Sequence, residues 1–281
     1  MQEKQELLIP KTDVVFHSLF RTGNEDITKL IVQDIIQEKI KTINLEMDRY
    51  LIKKYTEDKL GILDLKARLN EGTLCNIEIQ LSDKGNIIKR ILWYWSKVYS
   101  GQLKEKEDYN KLEKTICIVI IDFELNEIPE LRELEDCHTK WQIKESKREK
   151  ILLTDLLEIH IIEIPKAKRL LKKEPKNKII QWMAFLDNPN EMEVLEMAKQ
   201  NKGIKKAMEK LKEISKDDKL RRIAELREKA ILDERSAINY ATEKGREEGK
   251  KETAKKLKEK NMPTEEIEEI TGLTKEEIEK L

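Results

Sequence analysis

Two runs of alternating residues, separated by Asn-Glu-Gly, restrict most sharply what this chain can fold into. Leu63, Leu65, Ala67 and Leu69 alternate with Asp64, Lys66 and Arg68. After the break, Cys75, Ile77, Ile79 and Leu81 alternate with Asn76, Glu78 and Gln80. A period of two sends successive side chains to opposite faces of a strand, so the pair of runs around a glycine-containing turn predicts a β-hairpin. A three-residue loop of Asn70, Glu71 and Gly72 puts glycine where a left-handed backbone is required and sets Leu69 against Thr73. Counting back from there, Lys66 faces Asn76, Asp64 falls opposite Glu78, and Gln80 faces Ile62. A change of one residue in the loop, or a bulge, would offset these pairs.

In that register two carboxylates stand on one face, with Cβ atoms about 4.5–5.5 Å apart. Like charges so placed destabilise a hairpin unless something neutralises them. A hard divalent cation does so: Mg²⁺ takes oxygen ligands, often one or two carboxylates, and keeps several waters. A cation held there can activate water and stabilise charge on a phosphoryl group. The alternative is a solvent-exposed sheet face on which Asp64 pairs with Lys66 or Arg68, an arrangement that is common and nearly neutral in energy. Spacing alone leaves both readings open.

The remainder of the chain frames this hairpin. From about Thr12 to Lys41 the apolar spacing is helical, with Pro10 and Thr12 or Asp13 as start signals and Gly23-Asn24 dividing two helices. Residues 47 to 81 read as strands. A helix follows from about Asn86 to Gln102, with Ile87, Ile88, Ile91, Leu92, Trp95 and Val98 on its apolar side and packing expected for Trp93. Arg90, Tyr94 and Lys97 share the opposite side, a local basic patch. The run 115–123, TICIVIIDF, predicts a strand covered on both faces. Further strands are expected near Trp141–Ile143 and Glu158–Ile164, with Pro165 ending the sheet. Phe16 and Phe20, one turn apart, are expected in the core. His17, His138 and His160 show no ligand spacing.

Beyond residue 166 the chain reads as helical. The expected organisation is a core over 1–166, a helical extension over 167–203 packed on it, a charged amphipathic or coiled-coil tract over 204–260, and a small helix-turn-helix-like tail over 261–281. In the tail Thr264 is a candidate cap, Gly272 a stop, and Thr274 with Glu277 a capping box. Residues 264–281 hold seven Glu and two Lys, a poor surface for phosphates, so contact with protein is the favoured role for the tail. The tract 204–260 is a candidate for homo-oligomerisation.

Charged residues make up 40% of the chain, against about 25% in ordinary globular proteins, which points to long solvated helices rather than a second thick core. The 56 basic and 56 acidic residues cancel, so any nucleic-acid contact must come from local clusters rather than a global field. Three scattered cysteines, Cys75, Cys117 and Cys137, suggest neither a disulfide framework nor a zinc ribbon. The longest apolar run, Ile116 to Ile121, is too short to span a bilayer. A cytoplasmic protein that does not enter membranes is expected.

At the hairpin the chain resembles the Rpn family of recombination-promoting nucleases and transposase-like proteins, within the PD-(D/E)XK nuclease superfamily. The superfamily pattern of Asp, a gap, then Glu-x-Lys is represented by Asp64 and Glu78-Ile79-Gln80. PKTDVVFHSLF at 10–20 is similar to the N-terminal signature of the family, with His17 where Lys is common. KRILWYWSKVYSGQL at 89–103 is similar to its R-x-x-Y-W helix, and Trp182-Met-Ala-Phe-Leu and the C-terminal tail also match. The resemblance implies an α/β, restriction-endonuclease-like core of mixed sheet flanked by helices, followed by a mostly helical C-terminal region. It implies a Mg²⁺-dependent (or Mn²⁺-dependent) DNA endonuclease in a recombination or mobile-element setting. Asp64 and Glu78 would bind the metal with the Ile79 carbonyl, and Asp13 is a further acidic candidate. Gln80 stands where Lys usually orients the water, and glutamine can hydrogen-bond that water without bringing charge. Arg90, Tyr94 and Lys97 would meet DNA. The competing expectation is a nuclease-fold protein that cuts nothing and binds DNA or protein partners through its helical tail.

Overall fold

The computed structural model describes residues 6–21, 23–46, 65–70 and 72–281. The chain divides into two compact units, Met1–Arg227 and Glu228–Leu281.

The first unit is built on a six-stranded sheet. Its strands are β1 (Ile43–Glu46), β2 (Leu65–Leu69), β3 (Leu74–Gln80), β4 (Thr115–Ile121), β5 (His138–Trp141) and β8 (Leu157–Glu163), in the order β1-β2-β3-β4-β8-β5. β6 (Lys144–Glu145) and β7 (Arg148–Leu152) form a separate hairpin. β1, β2 and β3 pair antiparallel, whereas β3, β4 and β8 run parallel, and β5 closes the edge antiparallel to β8. Parallel neighbours need a crossover, and α3 (Ile87–Ser100) supplies it between β3 and β4. As the TICIVII run requires, all seven residues of β4 are buried. The strand expected near 141–143 lies a little earlier, at 138–141, because its register is set by pairing with β8. The 144–152 hairpin carried no sequence signal: β7 is exposed along its whole length, so no buried face imposes alternation.

The turn of the central hairpin differs in one detail from expectation. Lys66 pairs with Asn76 and the Leu69 amide donates to the Thr73 carbonyl at 2.7 Å, as counted. The left-handed residue, however, is Asn70 (φ 51°) rather than Gly72. Asparagine tolerates that region because its short side chain can bond locally, and here Asn70 Oδ1 accepts the Lys41 amide at 2.7 Å, tying the turn to the start of β1.

Apolar clusters cover both faces of the sheet. One face carries Ile77, Ile79, Ile118 and Ile162 under α1 (Asp13–Phe20), α2 (Glu25–Ile36), α4 (Ile164–Leu170), α5 (Lys178–Asp187), α6 (Met192–Gln200) and α7 (Lys202–Ile214). Phe16 and Phe20 are buried there, ring centroids 4.7 Å apart, as expected of core residues. The other face carries Cys117, Val119, Ile121, Ile159 and Ile161, with Ile87 and Ile91 of α3 above them. α7 presents Ile204, Ala207, Met208 and Leu211 to the first cluster, all buried. The tract 204–260 is therefore not one element: its first turns complete the core, Ser215–Asp217 interrupts the helix, and α8 (Asp218–Glu259) then runs for 42 residues.

In the second unit Ala254 of α8 packs with Ile267, Leu273 and Ile278 from α9 (Thr264–Thr271) and α10 (Lys275–Glu279). Gly272 ends α9 at φ 66°, and Thr274 and Glu277 form the expected capping box. Thr264 is not a cap; Pro263 occupies that position and Thr264 is the first helical residue. Proline has fixed φ and no N–H to satisfy, which suits the start of a helix.

Candidate active site

β3 is the junction between the antiparallel and parallel halves of the sheet. Even-numbered residues of β3 face α3: Asn76 sits beside Cys117 of β4 and Glu78 beside Val119. Burial on β3 is nearly complete, with Asn76 0% and Glu78 1% exposed. The polar side of this strand is therefore not the solvated sheet face allowed by spacing alone, because α3 covers it.

A carboxylate this deep needs compensation, since burying an isolated ion is costly. Gln80 Nε2 donates to Glu78 Oε1, and the Arg90 guanidinium lies 3.4 Å from the same oxygen. Arg90 reaches Glu78 because α3 runs back antiparallel to β3, so its first turns overlie the strand's end. The expectation that Arg90 lies opposite the apolar side of α3 is corrected by this contact. Leu92 and Trp93 are corrected as well: both are about half exposed. Lys97 Nζ stands 4.9 Å from the Trp93 ring centroid, and Tyr94 meets that ring edge-on at 4.9 Å. Trp95 does pack, donating from Nε1 to the Thr115 carbonyl at 3.0 Å. Beyond Asn76, toward the hairpin turn, Lys66, Arg68, Leu74, Lys97, Val98 and Gln102 line a cavity of about 270 Å³.

Asp64 lies outside the described residues, as does Ile62, the expected neighbour of Gln80. Asp13 is described: its Oδ1 accepts the Val14 amide at 2.8 Å and its Oδ2 lies 3.7 Å from Arg227 Nε. Burial pushes the Asp13 carboxyl above the usual carboxylate range, against the pull of Arg227 and the Val14 amide. These contacts belong to α1, on the opposite side of the sheet from Glu78, and none joins Asp13 to Glu78. Among the described residues no group of three or more His, Cys, Asp or Glu forms a metal centre. The donor chemistry nevertheless fits a hard cation, which needs only one or two carboxylates and a carbonyl besides water: Glu78 and Ile79 are here on the strand, and Asp64 immediately precedes Leu65, the partner of Ile77.

Sequence reasoning missed two features. Asn76 was placed on the Glu78 face by alternation, but its burial was not foreseen. His138 and His160, which show no ligand spacing in the sequence, stack with ring centroids 5.0 Å apart and share a 2.8 Å hydrogen bond. His160 Nε2 continues to Glu158 Oε1 at 2.8 Å, and Lys114 and Lys140 meet Glu158 Oε2 at 2.9 and 3.0 Å. Only the pairing of β5 with β8 brings these residues together, and no spacing within one segment could reveal it.

A mixed sheet with helices on both faces and a carboxylate strand at its antiparallel–parallel junction defines a restriction-endonuclease-like fold. The chain belongs to the PD-(D/E)XK nuclease family transposases, whose family model matches residues 10–241. That membership supports a nuclease or transposase-related role. No curated protein and no solved structure matches the chain. Among the described residues, no helix is long and apolar enough to cross a membrane.

Proposed function

We propose that the protein is a divalent-metal-dependent DNA endonuclease, with Mg²⁺ (or Mn²⁺) held by Asp64, Glu78 and the Ile79 carbonyl. The observation that carries this reading is Glu78 itself: a fully buried carboxylate with the Arg90 guanidinium 3.4 Å away. The pairs Leu65–Ile77 and Lys66–Asn76 support the counted register, whose next step would set Asp64 against Glu78. The cation would supply Lewis acidity toward the phosphoryl group. Gln80 would orient the attacking water through its carboxamide, and Arg90 would offer its charge to the phosphate. Tyr94 and Lys97, further along the same helix, would guide the DNA backbone.

Plasmid nicking in Mg²⁺ or Mn²⁺, wild type beside Asp64→Ala, tests this directly. Loss of cleavage in the variant is expected, and equal cleavage by both would remove the site. One observation favours the competing, non-cleaving reading: Gln80 brings no charge, and its amide is already engaged by Glu78. DNA binding without cleavage by the wild type would establish that reading.

The exposed Leu232, Ile238 and Tyr240 on α8 suit a second copy of the chain. Light scattering on a chain ended at Arg227 should then show a monomer where the full chain does not.

A further inference from the structure

Asn76 is the anomaly of the central strand. Its side chain is 0% exposed, and neither Oδ1 nor Nδ2 has a hydrogen-bond partner. A buried group left so costs about 1–3 kcal/mol, and such groups call for a specific explanation. A plain core position would be served better by an apolar side chain, as at Val119, diagonal to it on β4 and on the same face. The orphan amide stands on the same face as Glu78, two residues along β3, with Lys66 opposite on β2 and Cys117 on β4. The cavity lined by Lys66, Leu74 and Lys97 begins beside it, so Asn76 lies between that cavity and Glu78.

Two residues along a strand span roughly 6.6 Å. Gln80 crosses that spacing to Glu78 directly, whereas the Asn76 carboxamide, one methylene shorter, makes no such bond. The spacing suits one water in between, since two hydrogen bonds of about 2.8 Å cover most of the gap. An amide can donate to such a water and accept from it, so both orphan atoms can be used.

We propose that Asn76 is a positioning residue of the cation site: its carboxamide holds a water that also hydrogen-bonds Glu78 and fixes that carboxylate for a divalent cation. This deepens the nuclease reading and rests on it. Partners one step behind a ligand typically change metal affinity or activity 10- to 100-fold when removed.

The test is Mn²⁺ titration by calorimetry on wild type, Asn76→Leu, Asn76→Ala and Asn76→Ser, with thermal melting of the metal-free proteins alongside. Asn76→Leu should melt close to wild type, because burial of the apolar side chain offsets the lost hydrogen bonds to the water. It should nevertheless bind Mn²⁺ at least tenfold more weakly. Asn76→Ser, which keeps a hydrogen-bonding group, should retain more affinity than Asn76→Ala of nearly the same size, and this comparison stands even if the leucine variant does not fold. Wild-type affinity in both the Leu and Ala variants would overturn the proposal and leave the nuclease reading intact. Absence of Mn²⁺ uptake by wild type itself, with Asp64→Ala indistinguishable from it, would sink both.

Discussion

Two glutamates, both almost fully buried, lie on strands two places apart and face opposite sides of one sheet. Glu158, 2% exposed, is met by two ammonium groups and an imidazole, all within 3.0 Å. Burial alone would raise its carboxyl, but hydrogen bonds from His160, Lys114 and Lys140 outweigh that and hold it far below the usual carboxylate range. The partners of Glu78 include a neutral amide and a more distant guanidinium, and its neighbour on the same face is an unsatisfied amide. The first arrangement is neutralised from within the chain and reads as architecture. The second leaves the Asn76 carboxamide unsatisfied inside the protein, and buried polar groups of that kind are usually found where binding and chemistry are built.

The sharpest way to break this contrast is to remove each glutamate and see which property fails. Glu78→Ala should lower single-turnover cleavage by roughly 10³-fold, about 4 kcal/mol of transition-state stabilisation, with the melting temperature nearly unchanged. A variant that unfolds instead would make Glu78 structural. Glu158→Ala should do the reverse. Stability in urea should fall by about 3 kcal/mol, near the low end for breaking a buried pair because Lys140 is substantially exposed. Cleavage per folded molecule should stay at the wild-type level.

Acid sharpens the contrast further. Burial, aided by His160 and Lys140, lowers His138 from 6.5 to about 4. Between those values the unfolded chain binds a proton that the folded chain refuses, so stability must decline as pH drops through that window. The depressed Glu158 acts in the same sense lower down: its contribution is present above the ordinary glutamate range and is lost as pH falls toward its folded value. Melting curves from pH 7 to 4.5 should show this slope, and His138→Gln should flatten it. The smallest effect expected is at Arg90. Arg90→Gln should weaken DNA binding and reduce its salt dependence by about one phosphate contact, and an unchanged slope would confine Arg90 to holding Glu78.

Local order was readable wherever the burial of an element, on one face or on both, leaves a pattern in its own sequence. The pairing of Lys66 with Asn76 followed from alternation plus a turn, and the covered state of β4 followed from an unbroken apolar run. Contacts made across the sheet were not readable. Glu158, His160 and His138 lie on two strands joined by a long excursion, and the arrival of Arg90 at Glu78 depends on how α3 packs. Trp93 shows the converse failure: a large aromatic surrounded by apolar neighbours in sequence was expected to pack, yet it faces outward and partners Tyr94 and Lys97. The burial of Asn76 was hidden because polar residues on an alternating strand ordinarily mark the wet side.

The placement of α7 affects how the chain must be made. Its Ile204, Ala207, Met208 and Leu211 fill the layer that α1 and α2 also share, so the first helices of the protein close against one of the last parts of the unit. A ribosome that has released only the central hairpin and β4 has produced a sheet with an apolar side still open. Domains fold as units once their sequence is available, and here that point comes only after residue 214 has left the exit tunnel. A chain assembled in this order has no finished core until residue 214, about three quarters of the way along the sequence, has emerged.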